Sequence, residues 1–305
     1  MTVPFGCNMD AGLLTGPVAR RQMLARRAVD AGIRHTFTAD HVSFHTGLGM
    51  DGLVRAALVS ALHDELAVHI GVYLLALRHP LPVARQIATL AEAAPGRLVL
   101  GIGVGGEDRH EFEICGIDPK TRGRRTSEAL SVLRPLLAGA PVTHHGEFYD
   151  FDAALIRPAP NPAVPIVVGG RSPAALARAA RYGDGWLAVW VDAARYRQTL
   201  AQFHEHADRC GRGAVPWSHG IQLWMAVDAD RAVARARLAQ RMEAMYRIPY
   251  ARFEKYAPAG SAAEIAAFLA PMIESGCSYF NVQAIADSPE QAIDDLAAVR
   301  AALKN

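Results

Sequence analysis

A chain of 305 residues, 51% apolar and 20% charged, is long enough for one large core or two modest ones and reads as a globular, water-facing protein. Its net charge of +2, with acids and bases interspersed, offers no basic stripe for nucleic acid, and no apolar run reaches the roughly 18 residues that a membrane span needs. The N-terminus has no basic-then-apolar leader pattern, and Cys7, Cys115, Cys210 and Cys277 lack paired spacing, so reduced thiols and a cytoplasmic setting are expected.

Along the chain, short apolar runs alternate with amphipathic stretches. A strand is expected at Val3 to Met9, a helix at Pro17 to Ala31, and a second strand at Arg34 to Ala39 ending in Asp40-His41. A helix at Met50 to Asp64 precedes a third strand at Leu66 to Leu77, closed by Arg78-His79-Pro80. A helix at Pro82 to Ala93 leads to a fourth strand at Arg97 to Val104, which empties into Gly105-Gly106-Glu107-Asp108. A turn of helix at Glu111 to Cys115 and a longer helix at Ser127 to Leu137 follow.

Val142 to Pro162 is rich in aromatics and prolines and reads as an excursion rather than a linker. The fifth strand is Val164 to Val168. Gly169-Gly170 ends it, and Ser172-Pro173 opens a helix to about Tyr182, because a serine hydroxyl caps free amides and proline at the first helical position gives up no hydrogen bond. Strands at Trp186 to Val191, Gly220 to Val227 and Tyr279 to Ile285 complete the series. Helices are expected at Ala194 to Arg209, Arg231 to Tyr246, Ser261 to Ser275 and Pro289 to Leu303.

Eight strand-helix repeats without a change of composition predict the α/β class, a (β/α)8 TIM barrel, as a single domain over 1–305 with an insertion at 142–162. In such barrels chemistry sits on the loops after the strands' carboxyl ends. That rule selects Asn8, Asp40, His41, Arg78, the Gly105 to Glu111 loop, Gly169 to Ser172 and Trp190. A glycine turn feeding a helix N-terminus is a seat for a phosphate, which assigns Gly169, Gly170, Arg171 and Ser172 to an anionic ligand.

Gly101-Ile102-Gly103-Val104-Gly105-Gly106 matches a dinucleotide fingerprint formally, but its first two glycines lie inside the strand, and no acid-terminated strand follows at the required distance. Glycines there suit a flat ring lying close across the strand ends, which assigns Gly103, Gly105 and Gly106 to a cofactor. No metal site is expected: His41 and His45 lack a carboxylate at ligand spacing, and His204 and His206 sit mid-helix. His144-His145 reads as surface. His41 stands at a strand end, where a group titrating near neutral pH can exchange protons. Arg78 could pair Asp40 or clamp an anion, and the Arg122, Arg124, Arg125 cluster is a solvated face or a contact for phosphate or another subunit.

Thr38-Ala39-Asp40-His41, Arg78-His79-Pro80, Gly96 to Gly103, Glu111-Phe112 with Gly116, Arg122 to Arg125 with Glu128-Ala129-Leu130, Val168-Gly169-Gly170 and Tyr182 to Trp186 occur in one order. In these the chain resembles the bacterial-luciferase-like flavin-dependent oxidoreductases, which use flavin mononucleotide (FMN) or the deazaflavin coenzyme F420. The resemblance is strong to about Trp190. It implies a barrel with an aromatic-rich insertion, a cofactor phosphate held by Gly169, Gly170 and Ser172, and a cis peptide at Gly71-Val72 behind the ring. It also implies His41 near the reactive carbon, assisted by Glu107 or Glu111 from the fourth loop. His41, Asp40 and Glu111 are therefore the candidate catalytic residues, and Gly71, Val72 and Arg78 join the cofactor set.

Two departures narrow the substrate. Luciferase itself has an arginine near Gly105, and the family's sugar-phosphate dehydrogenases carry threonine and lysine where this chain has Val189, Trp190 and Asp192. A sugar phosphate is thus disfavoured, and Phe44, Trp190, Trp224 and Phe148 to Phe151 suggest an apolar or aromatic small molecule. The leading expectation is F420-dependent hydride transfer. The alternatives are an FMN monooxygenase fed by a partner reductase and a non-catalytic cofactor-binding protein. A homodimer is expected, with no nucleic-acid or membrane partner.

Overall fold

The computed structural model describes residues 3–304 except Thr46, Leu48 and Glu107, so the Glu107 alternative lies outside the described residues. The N-terminal half comprises β1 (Phe5–Cys7), α1 (Asp10–Leu14), α2 (Val18–Asp30), β2 (His35–Thr38), α3 (Gly52–Ser60), β3 (Ala67–Tyr73), α4 (Pro80–Ala93), β4 (Leu98–Ile102), α5 (His110–Ile114) and α6 (Arg122–Leu137). After β5 (Val142–His145) and β6 (Asp150–Ala154) come β7 (Ile166–Gly169), α7 (Pro173–Tyr182), β8 (Gly185–Val189), α8 (Ala193–Arg209), β9 (Gly220–Val227) and α9 (Arg231–Tyr246). The chain ends with β10 (Ala259–Gly260), α10 (Ala262–Glu274), β11 (Tyr279–Ala284) and α11 (Pro289–Ala302).

Among the described residues, β1, β2, β3, β4, β7, β8, β9 and β11 pair in parallel in that order, and β11 returns to β1. This is the closed (β/α)8 barrel that the strand-helix alternation predicted. Among the described residues no helix is long and apolar enough to cross a membrane.

Because side chains alternate across a strand, one set of each strand packs outward on the helices and the other fills the barrel. Ile166 and Val168 belong to the large outer core, whereas Val167 joins Leu187 and Tyr279 in a separate inner cluster with Val72 and Val99. The inner layer is partly polar. His35 and His69 stack with ring centroids 3.6 Å apart, and His35 Nε2 lies 2.8 Å from Asn281 Oδ1.

The structure differs from the expected elements where local chemistry ends a run early. The strand expected to reach Leu77 stops at Tyr73, and a 3-10 turn over Leu75–Leu77 carries the chain to the cap of α4, where the His79 side chain accepts from Leu81 N–H. Helix α6 starts at Arg122 rather than Ser127, so the basic cluster lies within the helix. Helix α1 and the two-residue β10 are additions that their short runs did not signal.

The excursion is a β5–β6 antiparallel hairpin. It is clamped to α6 by Glu128, which accepts from the Phe148 and Tyr149 amides at 3.0 and 2.9 Å and lies 3.1 Å from His144 Nε2. Arg125 stands 4.8 Å over the Phe148 ring, and Arg124 pairs Glu147 at 2.9 Å. His144 and the basic cluster thus fasten the insertion. Phe148 and Phe151 pack on the main core, which takes them away from the barrel mouth.

Three buried imidazoles make stability depend on pH. Burial pushes His35 and His219 down to about 4 and holds His69 well below its usual range. Since the folded pKa lies below the unfolded value of 6.5, protonation favours unfolding. Stability is complete above pH 6.5 and falls towards pH 4, by about 1.4 kcal/mol per pH unit for each histidine. Urea denaturation at pH 7.5 and 5.0 checks this, and H219Q is expected to flatten the dependence by about one proton. Equal stability of the native protein at both pH values would show that these rings do not titrate on unfolding.

Candidate active site

A cavity of about 880 Å³ opens at the carboxyl ends of the barrel strands. Its wall includes Asp40, His41, Gly71, Val72, Gly103, Gly105, Gly106, Glu111, Gly169 and Gly170 from the sequence-predicted set. The strand-end loops bring these together because every parallel strand points its carboxyl end to the same face.

His41 follows β2, and Glu111 lies in the first turn of α5. His41 Nδ1 donates to Glu111 Oε2 at 3.0 Å, while Glu111 Oε1 accepts from the Val42 and Ser43 amides at 2.6 and 2.9 Å. The Glu111 side chain is 2% exposed and that of His41 21%. The carboxylate therefore fixes the ring's orientation and tautomer and leaves Nε2 to a ligand. Phe44, expected at the mouth, is buried and packs 4.4 Å from the His41 ring.

Asp40 is buried with both oxygens engaged. Oδ1 accepts from Gly52 N–H and Arg78 Nη2, each at 2.9 Å, and Oδ2 accepts from Leu74 N–H at 2.9 Å and Arg78 Nη1 at 2.7 Å. Burial pushes the Asp40 carboxyl up while Arg78 and the two amides pull it back, and Asp40 holds Arg78 above its usual range despite burial. Arg78 also reaches Asp51 at 3.1 Å and is not part of the cavity wall. Of the two roles open to Arg78 in the sequence, the structure places it in the ion pair.

The glycines leave room for close packing at the cavity floor. The Gly71–Val72 peptide is cis, as the family likeness implies. A Cβ on Gly103 would stand 2.2 Å from Val72 Cγ2, so only glycine admits Val72 there. Gly170 has φ +119° and its carbonyl accepts from Trp186 Nε1 at 2.7 Å, which sets the turn into α7. Ser172 caps α7 by accepting from Ala175 N–H at 3.2 Å. Arg171 and Ser172 line a second, adjoining cavity rather than the main one.

Sequence reasoning passed over several wall residues. Gln222 and Gln283 are amides on β9 and β11, and Gln222 Oε1 is buried without a hydrogen-bond partner among the described residues. Their signal was an amide at an inward position of an otherwise apolar strand. Arg241, Met245 and Tyr246 come from α9, where helical spacing gave no hint of a cavity. Trp190 and Trp224 line the wall as expected, with Trp190 4.7 Å from the Phe253 ring. Among the described residues no group of three or more histidine, cysteine, aspartate or glutamate side chains could hold a metal.

The cavity wall combines Gly71, Val72, Gly103, Gly105 and Gly106 with the Gly169–Gly170 turn that precedes the N-terminus of α7.

The chain is 33% identical over 231 residues to an F420-dependent glucose-6-phosphate dehydrogenase of Beutenbergia cavernae, covering 71% of this chain and 67% of that protein. It is 31% identical over 218 residues to an F420-dependent hydroxymycolic acid dehydrogenase of Mycobacterium tuberculosis, covering 70% and 60%. An uncharacterized protein of the same bacterium is 32% identical over 174 residues, 57% of this chain and 60% of that one, so the match spans less than two thirds of that relative.

Among solved structures, an F420-dependent secondary alcohol dehydrogenase in complex with an F420-acetone adduct has a TM-score of 0.85 at 21% identity, with 100% of both chains covered. The FMN-bound oxygenating constituent of 3,6-diketocamphane monooxygenase from Pseudomonas putida has a TM-score of 0.77 at 17% identity, covering 99% and 98%. At such identities these two show the fold. The family model for luciferase-like monooxygenases matches residues 5–303, and with that match over nearly its whole length the chain belongs to this family of flavin- and F420-dependent oxidoreductases.

Proposed function

We propose that this oxidoreductase uses coenzyme F420 to exchange hydride with a small apolar or aromatic molecule, and that His41 supplies or accepts the accompanying proton at Nε2. The observation that supports the reading is the His41–Glu111 pair in the cavity wall, in which Glu111 occupies Nδ1 and leaves Nε2 as the ring nitrogen open to a ligand. Bound deazaflavin would supply the two-electron chemistry. Gly103 and Val72 would support its ring, and Gly169 and Gly170 with the first turn of α7 would hold its phosphate. The names of the 31–33% identical relatives favour F420.

Asp40 belongs in this reading as a positioning residue. Its four hydrogen bonds tie the start of α3, the chain after β3 and Arg78 into one frame next to His41. Trp190 and Trp224 supply apolar wall for the substrate, with Gln222 and Gln283 as amide partners for a polar group.

The FMN monooxygenase supplied by a partner reductase is the second reading, favoured by the family's description and the FMN-bound structural neighbour. Titration of the purified protein with F420 and with FMN, followed by fluorescence, separates the two. F420 is expected to bind at least about tenfold more tightly, a difference of about 1.4 kcal/mol. Tight FMN binding with no F420 binding would transfer the assignment to the monooxygenase.

A further inference from the structure

The mouth of the barrel has two unlike sides. Around the closed sheet β2 is followed by β3, β4, β7 and then β8, so β2 and β8 stand on opposite sides of the eight-stranded ring. His41 follows β2 and Trp190 follows β8, which places the two rings across the main cavity from each other.

Trp190 belongs to an aromatic corner. Its ring lies 5.5 Å from Tyr246 of α9 at 85° and 4.7 Å from Phe253, which follows the 3-10 turn over Tyr250–Arg252. Tyr246 in turn lies 5.6 Å from Trp224 of β9 at 66° and 5.3 Å from Phe253. Trp190, Trp224 and Tyr246 line the cavity wall. The four rings sit in a cluster separate from the main core, with Leu238, Met242 and Tyr250 behind them. Trp190 reaches this place with a left-handed backbone, φ +53°, which bulky side chains rarely adopt, and Arg171 Nη1 donates to its carbonyl at 3.3 Å. Backbone strain of this kind survives where neighbouring contacts enforce it, and it gathers at ligand sites.

We infer that this corner seats an aromatic ring of the substrate, and that Trp190 selects such a ring over a saturated one of the same size. The inference rests on the proposed hydride-transfer reading and narrows its substrate class from apolar or aromatic to aromatic. A saturated ring would bury similar apolar area against this wall. A flat ring adds the edge-to-face and offset contacts that the four side chains already make with one another. Arg241, also on α9, lines the wall but is exposed, so the enclosed surface in this corner is aromatic.

A matched pair of ketones, 4-phenyl-2-butanone and 4-cyclohexyl-2-butanone, tests it by calorimetric titration of protein saturated with oxidised F420 and, in parallel, with FMN. Oxidised coenzyme cannot reduce a ketone, so binding is read without turnover. The phenyl compound is expected to bind roughly tenfold more tightly, as one or two ring contacts allow. Because the coenzyme's own ring also attracts a phenyl group, the W190L variant carries the assignment to Trp190: its ratio should fall to about two, with W190F between W190L and native. Circular dichroism shows whether W190L keeps its fold. If it does not, W190F decides, and a native ratio there overturns the role of Trp190. Equal affinities in the native protein, binding of neither ketone, or a native ratio in folded W190L overturns the inference and leaves the F420 reading intact. A phenyl preference that depends on Trp190 in protein that takes FMN and not F420 upholds the aromatic site while the F420 reading fails.

Discussion

Replacing His41 by alanine is expected to lower kcat by a factor of about 10² to 10⁴, the range of general acid-base catalysis, while the coenzyme's dissociation constant stays within about threefold. The imidazole lines the cavity with Nδ1 held by Glu111, and the coenzyme's proposed phosphate seat follows a different strand, so chemistry and binding should separate. Added imidazole should restore part of the H41A rate, which a purely structural role would not permit. Glu111 acts through His41. In E111Q one oxygen must serve both the His41 N–H and the Val42 and Ser43 amides, so ring orientation is loosened. A roughly tenfold fall in kcat is expected, with the H41A/E111Q pair no worse than H41A alone. If H41A turned over at the native rate, or lost coenzyme binding in proportion to rate, the proton role would be wrong.

The largest stability effect is expected at Asp40. Its buried carboxylate meets two guanidinium nitrogens and two amides, so D40A leaves Arg78 facing a cavity and strands the Gly52 and Leu74 N–H groups. Breaking a buried pair from one side costs about 3–5 kcal/mol. D40A/R78M, which removes both charges, should recover part of that loss. Asp51 prevents full recovery, since Arg78 also pairs with it. Urea denaturation of the two variants measures the effect. A D40A protein within about 1 kcal/mol of native, with no difference from the double variant, would place the pair outside the fold's energetics.

Much of this architecture was legible in the order of residues because a parallel barrel leaves strong local signs. Helix α7 was read to its observed ends, since Ser172-Pro173 can cap and open a helix with any neighbours. The β9 and α9 bounds were also read as observed. The strand ends were less clear. Arg78 stood at the end of the expected third strand, yet the 3-10 turn over Leu75–Leu77 and the cap at His79 set it behind the mouth, where Asp40 takes it. Phe148 and Phe151 looked like mouth residues by composition, but Glu128 and Arg125 fix their hairpin against α6. Glu111 is singled out by its own contact with His41, which the sequence separation of the two residues hides.

By itself, the order of residues determined the eight-fold strand-helix alternation, the loops that face the cavity and the glycine turn before α7, because periodicity, capping and turn chemistry act over a few neighbours. Tertiary structure decided the partners. His41 and Glu111 are 70 positions apart, and Gln222 aligns with Asn281 across two strands. Such meetings follow from closing the sheet on itself, which joins β11 to β1 and places every strand end on one rim. No local run of residues carries that distance information.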